Sequence, residues 1–254
     1  MMQNIKCTIA YDGSTFSGSQ IQPNDRTVQG EVEKVLQKMH KGKQIRIYPS
    51  GRTDAGVHAL GQVFHFKTEL MIPEAGWYKA FQSLLPSDIQ IKQVCFVEED
   101  FHARFSAVDK EYRYIVLNTA EPDLFRRHFV HHSSIHYDID KMRAASDILQ
   151  GEHDFTSFAS TKSTATGDKI RTVYEITCDK VNSEIHFSVR GNGFLQHMVR
   201  IIVGTLLEVG CGKILVNELA PILAAKDRQA AGITIPPEGL YLWNVNYEKE
   251  TDNA

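Results

Sequence analysis

In the stretch Ile5-Lys6-Cys7-Thr8-Ile9-Ala10-Tyr11-Asp12-Gly13, the residues Ile5, Cys7, Ile9 and Tyr11 take every second position and the run stops at an Asp-Gly pair. That is the pattern of a β-strand running into a loop. Downstream, Thr27 is placed to cap a helix whose stripe is Val28, Val32, Val35, Leu36 and Met39, closing near Gly42. Two short strands are predicted around 45–48 and 62–67, separated by the loop Ser50 to Ala59. A second helix lies between Pro73 and Pro86, with Trp77, Phe81 and Leu84 on one face, and a strand from Ile89 to Val97 completes a β-α-β-β-α-β order.

From Ser106 the order repeats: a strand through Tyr112 to Asn118, a helix over 138–150 stopped by Gly151, and strands over 172–178 and 185–190 joined by a turn at 181–184. A long apolar helix from Leu195 to Val209 and a strand over 241–247 close the pattern, with an additional helix at 216–225. Two tandem split β-α-β units imply an α+β fold with mainly antiparallel sheets and helices on one face, in two domains, 1–104 and 105–254. The repeat is one of element order, without a matching repeat of residues. The Ser/Thr/Gly-rich stretch Ser157 to Gly167 reads as an exposed loop.

The bulk properties narrow the class. A chain of 254 residues, 42% hydrophobic and 23% charged, suits a globular protein. Met1 to Asp12 enters the alternating pattern directly, so no signal peptide is predicted, and no apolar run reaches bilayer length; the expectation is a cytoplasmic protein without a membrane partner. Cys7, Cys95, Cys178 and Cys211 are scattered and are expected to be reduced and mostly buried, which argues against a zinc or dithiol site. The net charge of −3 means that any polyanion would have to meet locally concentrated positive charge.

Three places carry possible chemistry. Gly51-Arg52-Thr53-Asp54-Ala55-Gly56-Val57-His58 sets a carboxylate between two glycines, with Arg52 before it and His58 after. Asp and Gly also make ordinary tight turns, but a turn needs neither Arg52 nor so many residues. Arg200 lies in the helix that is apolar almost all round, where a buried guanidinium requires an anionic partner. Asp54 is one candidate; Glu208, or a wet stripe shared with Gln196 and His197, is the alternative. Tyr112 and Tyr114 share one face of a strand, between Lys110 and Arg113, which suits stacking on a base beside a phosphate as well as ordinary strand packing. The histidines of 126–132 lack ligand spacing, and Gly204, Gly210 and Gly212-Lys213 lack the spacing of a phosphate loop. Gly191-Asn192-Gly193 reads as a strand-to-helix turn.

These residues resemble the bacterial tRNA pseudouridine synthase A family, from Tyr11-Asp12-Gly13 to Pro237-Glu238-Gly239-Leu240-Tyr241-Leu242. The most specific segment is Gly51 to Ala59, joined by Gly61-Gln62-Val63, Phe101-His102-Ala103-Arg104-Phe105-Ser106-Ala107, Glu111-Tyr112-Arg113-Tyr114, Asn192-Gly193-Phe194-Leu195 and His197-Met198-Val199-Arg200. The resemblance implies a pseudouridine synthase-like fold with an RNA cleft between its halves. It also implies a homodimer acting on uridines of the tRNA anticodon stem-loop, positions 38, 39 and 40, without metal or organic cofactor. It makes Asp54 the catalytic carboxylate, Tyr112 the aromatic that stacks on the target base and Arg200 the cation paired with Asp54. Where the family usually reads Gly-Trp-Gln, this chain has Gly18-Ser19-Gln20, and the expected consequence is a changed detail of RNA docking.

One carboxylate suffices for such a reaction. Breaking the bond from ribose C1′ to N1 develops positive charge on the sugar, and the leaving base is kept and rejoined through C5, so the second carboxyl of a glycosidase has no task. Arg52 suits a backbone phosphate or the gap left by a flipped nucleotide. RNA contacts are expected from Arg52, Arg104, Lys110, Arg113, Arg126, Arg127, Lys169 and Arg171. Two rivals lack their signatures: an RNA-binding module would carry the aromatic consensus on a central strand, and a small-molecule hydrolase using Asp54 would need a partner acid or nucleophile.

Overall fold

The computed structural model describes residues 2–161 and 167–248 and divides into two compact units. In the first, β1 (Gln3–Tyr11) is the central strand, and its partners are β3 (His58–Thr68) on one side and β4 (Ile89–Val97) on the other, all antiparallel. The two-residue β2 (Tyr48–Pro49) pairs with the outer edge of β3, giving the order β4-β1-β3-β2. Thr27 caps α1 (Val28–Met39) by accepting from the Gly30 amide, and the predicted stripe Val28, Val32, Val35 and Leu36 is buried. The second helix, α2 (Glu74–Leu84), begins after Pro73, and its Trp77 and Phe81 meet Phe64 and Phe66 of β3 in an aromatic core with ring centroids 5.3 to 6.3 Å apart. Side chains of this size dominate core energetics, and their edge-to-face arrangement adds to area burial.

In the second unit β5 (Ala107–Leu117) pairs with the short parallel β6 (His131–His132). Helix α3 (Ile139–Leu149) is capped by Asp138, which accepts from Lys141, and is followed by Gly151 at φ +104°. Then come β7 (Gly151–Asp154), β8 (Ile170–Val181) and β9 (Glu184–Gly191). The order β5-β9-β8-β7 is antiparallel throughout and repeats the first-third-second arrangement of β1-β3-β2. Helix α4 (Met198–Gly210) is buried on every residue except Arg200 and Glu208, and α5 (Leu219–Ala225) follows a 3-10 turn.

The last strand, β10 (Leu240–Tyr247), straddles the division. The first unit comprises the residues up to Val108 together with those from Leu242, and the second Asp109–Tyr241. The sequence-based division at 104/105 left all of this strand in the second domain. Contacts explain its allocation: Gly61 lies against the Trp243 carbonyl, the Tyr247 hydroxyl donates to the Ala103 carbonyl at 2.7 Å, and the Tyr247 ring packs on Phe101.

Several local expectations are corrected. β3 is eleven residues long and buried on both faces for most of its length, which erases the alternation that would have revealed its start. The loop that carries Asp54 is therefore shorter, 50–57. Residues 45–47 are not a strand, and the Ile47 amide instead donates to the Glu33 carboxylate at 3.0 Å. Helix α4 begins at Met198 rather than Leu195, because His197 takes a left-handed conformation at φ 64°. Ser157 to Ser160 are buried, with the Ser157 hydroxyl donating to the Ile222 carbonyl at 2.7 Å, instead of forming an exposed loop; 162–166 of that stretch lie outside the described residues. Cys7 and Cys178 are buried, whereas Cys95 and Cys211 are only half-buried.

Candidate active site

The loop between β2 and β3 is tied down on both sides of Asp54. At its start, the Ser50 amide donates to the Val63 carbonyl at 2.7 Å, and the Gln62 amide nitrogen reaches back to the Gly51 carbonyl at 3.1 Å. In its middle, Thr53 is 7% exposed and bonded three ways. Its amide donates to Ser19 Oγ at 2.8 Å, its carbonyl accepts from the Ser19 amide at 3.1 Å, and its hydroxyl shares a 2.8 Å hydrogen bond with the Tyr11 hydroxyl. Burial pushes the Tyr11 phenol up to about 12, outweighing the bond to Thr53, so Tyr11 serves as a neutral partner. After Asp54, the Val57 amide closes a turn onto the Asp54 carbonyl at 3.2 Å, with Gly56 at φ +78°. Buried His58 accepts from the Gly13 amide at Nδ1, 3.0 Å away, and Asp12 Oδ1 lies 3.4 Å from the same nitrogen.

The outcome is a carboxylate presented on a braced backbone. Asp54 is half-buried and Arg52 and Ala55 are exposed, while Thr53, Val57 and His58 turn inward. Ser19 is correspondingly not a surface substitution. It is 4% exposed and bonded to the residue preceding Asp54, so its effect falls on the loop and not on an outward-facing docking contact. Ser19 stood out from sequence only as a departure from the family pattern, and neither it, Thr53 nor Tyr11 was expected to brace the Asp54 loop. The alternation of β1 does set Tyr11 on the buried face with Ile9 and Cys7, whereas no local pattern betrays a bond spanning 34 residues.

Tyr112 and Arg200 lie in the second unit. Tyr112, on β5, is 8% exposed and packs edge-on against Phe194, centroids 5.2 Å apart. Tyr114, two residues on, is fully buried and donates to the Pro236 carbonyl at 2.8 Å, a structural role. Arg200 is part-buried, between the two readings the sequence left open, and its Nε donates to the Ile235 carbonyl at 2.7 Å. Its charge is felt at the Tyr114 phenol, which burial and then Glu238 push up and Arg200 pulls back. Of the basic residues proposed for RNA, Arg52 and Arg104 belong to the first unit and are exposed. Lys110, Arg113, Arg126, Lys169 and Arg171 are half-exposed in the second unit, with Arg113 on Glu111, Arg126 on Glu184 and Arg171 near Asp168. Arg127 is exposed and donates to the Leu124 carbonyl. No group of three or more metal-ligating side chains occurs among the described residues.

The segment 101–107 is anchored from β3. Buried His65 accepts from the Ala103 amide at 3.1 Å and stacks against Tyr48 at 5.1 Å. Burial foremost, then the neighbouring His102, lowers the His65 pKa to about 4. An unfolded histidine titrates near 6.5, so the unfolded chain binds the extra proton between about pH 6.5 and 4. The stabilisation is therefore complete above that window and is lost as pH falls through it. NMR titration should show the His65 ring neutral at pH 5; half-protonation near pH 6.5 would contradict this environment.

A braced Asp loop on a split β-α-β unit, with a second unit of matching strand order, defines the class. The model of the family described as tRNA pseudouridine synthase matches residues 8–106 and 145–248. The chain belongs to the tRNA pseudouridine synthase family and is an isomerase of tRNA processing. Among its relatives is the tRNA pseudouridine synthase A of Oceanobacillus iheyensis, 50% identical over 253 residues and covering 100% of both chains. That of Bacillus subtilis is 52% identical over 96% of this chain and 99% of its own. The Geobacillus kaustophilus protein of the same name is 54% identical over 98% and 96%.

Proposed function

We propose that this chain converts uridine to pseudouridine in the anticodon stem-loop of tRNAs, at positions 38, 39 and 40, with Asp54 as the catalytic carboxylate. The observation that carries the reading is the loop 50–57, whose main chain is held by hydrogen bonds to Ser19 and Gln62 and whose Thr53 hydroxyl is held by Tyr11, while Asp54 is left only partly covered. Fixing the backbone before the substrate arrives removes reorganisation from the chemical step.

The chemistry follows from one carboxylate. As the N1–C1′ bond breaks, its electron pair leaves with the uracil and positive charge develops at C1′; Asp54 stabilises it, by adding at C1′ or by taking the C2′ proton. The base turns without leaving, and C5 bonds to C1′ as the Asp54–C1′ bond breaks or, on the other route, as Asp54 returns the proton to C2′; C5 then loses its proton and N1 takes one up from solvent, so the net change is an isomerisation. Tyr112 stacks on the extruded uracil and Arg200 is the cation that partners the carboxylate, roles supported by the resemblance of 111–114 and 197–200. No metal or organic cofactor enters these steps. The assay is release of tritium to water from tRNA carrying 5-tritiated uridine; no release from any tRNA would overturn the reading.

Phosphate contacts fall to Arg52, Arg104, Lys110, Arg113, Arg126, Lys169 and Arg171, with Arg52 and Arg104 the most accessible. Affinity for tRNA should then fall steeply with salt, the slope of log affinity against log salt growing by about 0.9 for each phosphate neutralised. A flat dependence in filter binding would refute this basic surface. We extend the reading to a cytoplasmic homodimer, supported by the family resemblance and open to a mass measurement in solution. Among the described residues no helix is long and apolar enough to cross a membrane.

A further inference from the structure

The first turn of α1 points its amides at the segment that braces Thr53. A helix N-terminus has amides without intrahelical acceptors. Here the Val28 amide donates to the Gly18 carbonyl at 3.4 Å and the Gln29 amide to the Ser19 carbonyl at 2.9 Å, while Gln29 Oε1 accepts from the Ile21 amide at 3.2 Å. Segment 18–21 is thus fixed to a helix end. Gly18 has φ +98°, and a methyl group added there would lie 3.0 Å from the Thr53 carbonyl oxygen, so the two chains meet as closely as a glycine allows.

Ser19 then faces Thr53 with two groups. Its amide donates to the Thr53 carbonyl and its hydroxyl accepts from the Thr53 amide at 2.8 Å, so the side chain stands where a neighbouring strand would put a carbonyl. Tyr11 holds the Thr53 side chain at 2.8 Å. Every polar group of the residue preceding Asp54 is engaged, and the anchors trace back to α1 and β1. Rotation of the 53–54 peptide has to break the bond from the Ser19 amide, and rotation of the 52–53 peptide the bond to the Ser19 hydroxyl; the two peptides flank the Thr53 α-carbon, so either motion would swing the Asp54 carboxylate.

We propose that Ser19, together with Tyr11, is a positioning residue for the isomerisation, its hydroxyl holding the Thr53 peptide so that the Asp54 carboxylate keeps its aim at the sugar. The inference rests on the reading of Asp54 given above. It predicts an effect on turnover that is separate from tRNA affinity, because neither residue faces outward.

The test compares wild type with Ser19→Ala, Ser19→Thr and Tyr11→Phe by single-turnover tritium release, filter binding of tRNA and thermal unfolding. Ser19→Ala should lower the single-turnover rate by about 10- to 100-fold with Kd within about 2-fold of wild type, the loss expected for misplacement of a reacting group by roughly 1 Å. Ser19→Thr, which keeps the acceptor, should recover most of the rate. If Ser19→Ala fails to fold, Tyr11→Phe carries the test, since it removes a single hydroxyl from the ring, and a reduced rate at unchanged Kd is again expected. A wild-type rate in whichever of these variants is folded overturns the proposal, as does a loss confined to Kd or a folded Ser19→Thr no faster than Ser19→Ala. A wild-type protein that releases no tritium from any tRNA defeats instead the reading of Asp54, before any variant is compared.

Discussion

Asp54→Ala is expected to lose at least about 10³-fold in turnover while still binding tRNA, because it removes the one carboxylate that the mechanism uses. The reason for expecting so clean a separation is structural. The bonds that shape the loop run through the Gly51 and Thr53 main chain, the Thr53 hydroxyl and the turn from Asp54 to Val57, none of which needs the Asp54 carboxylate. Asp54→Asn retains shape and loses charge, and should fail as completely. Tritium release alongside filter binding checks both, and a variant keeping more than a few percent of the wild-type rate would remove Asp54 from the chemistry.

Gly13→Ala is expected to damage both stability and turnover. A methyl group added at Gly13 would overlap the Val57 carbonyl, so the turn after β1 or the 54–57 turn must move. Overpacking of this kind costs about 1 to 3 kcal/mol. For a chain of this size that lowers Tm by roughly 2–4 °C per kcal/mol. Since Val57 closes the turn onto Asp54, a shift of about 1 Å should also slow turnover by roughly 10²-fold. Gly42→Ala is the control: its φ of +97° makes a side chain cost about 1 kcal/mol, but nothing lies within 4 Å and the loop is untouched. Calorimetry and single-turnover kinetics should show both variants destabilised and only Gly13→Ala slowed; equal rates would mean that the two turns are not coupled.

Elements with one wet face were legible in the residues. The alternation of Ile5 to Tyr11, the stripe of α1 with its Thr27 cap, and the span Ile89–Val97 correspond to what folds. The exceptions have separate causes. β3 is covered on both faces, so its alternation disappears, and His197 ends the helical run through its own left-handed backbone. The four-residue β7, Gly151-Glu152-His153-Asp154, is a polar edge strand too short for any periodicity.

The candidate site divides in the same way. The segment from Gly51 to Ala59 was conspicuous as a carboxylate between glycines, and its resemblance to a known family named the chemistry. What holds the carboxylate was not visible: Ser19 stood out only as a departure from the family pattern, Thr53 lies 34 positions away, and their bond exists only once α1 has anchored residues 18–21. For Arg200 the apolar helix left burial and a wet stripe with Gln196 and His197 both open, and the fold sets the residue between them, part-buried with its Nε on the Ile235 carbonyl.

The most direct measurement is to incubate unmodified tRNA transcripts with the purified protein and map pseudouridine along them by chemical labelling and sequencing. The account predicts conversion confined to uridines at positions 38, 39 and 40, made by the wild-type chain and absent with Asp54→Ala. Conversion elsewhere in the tRNA, or equal conversion by the Asp54→Ala protein, would contradict it.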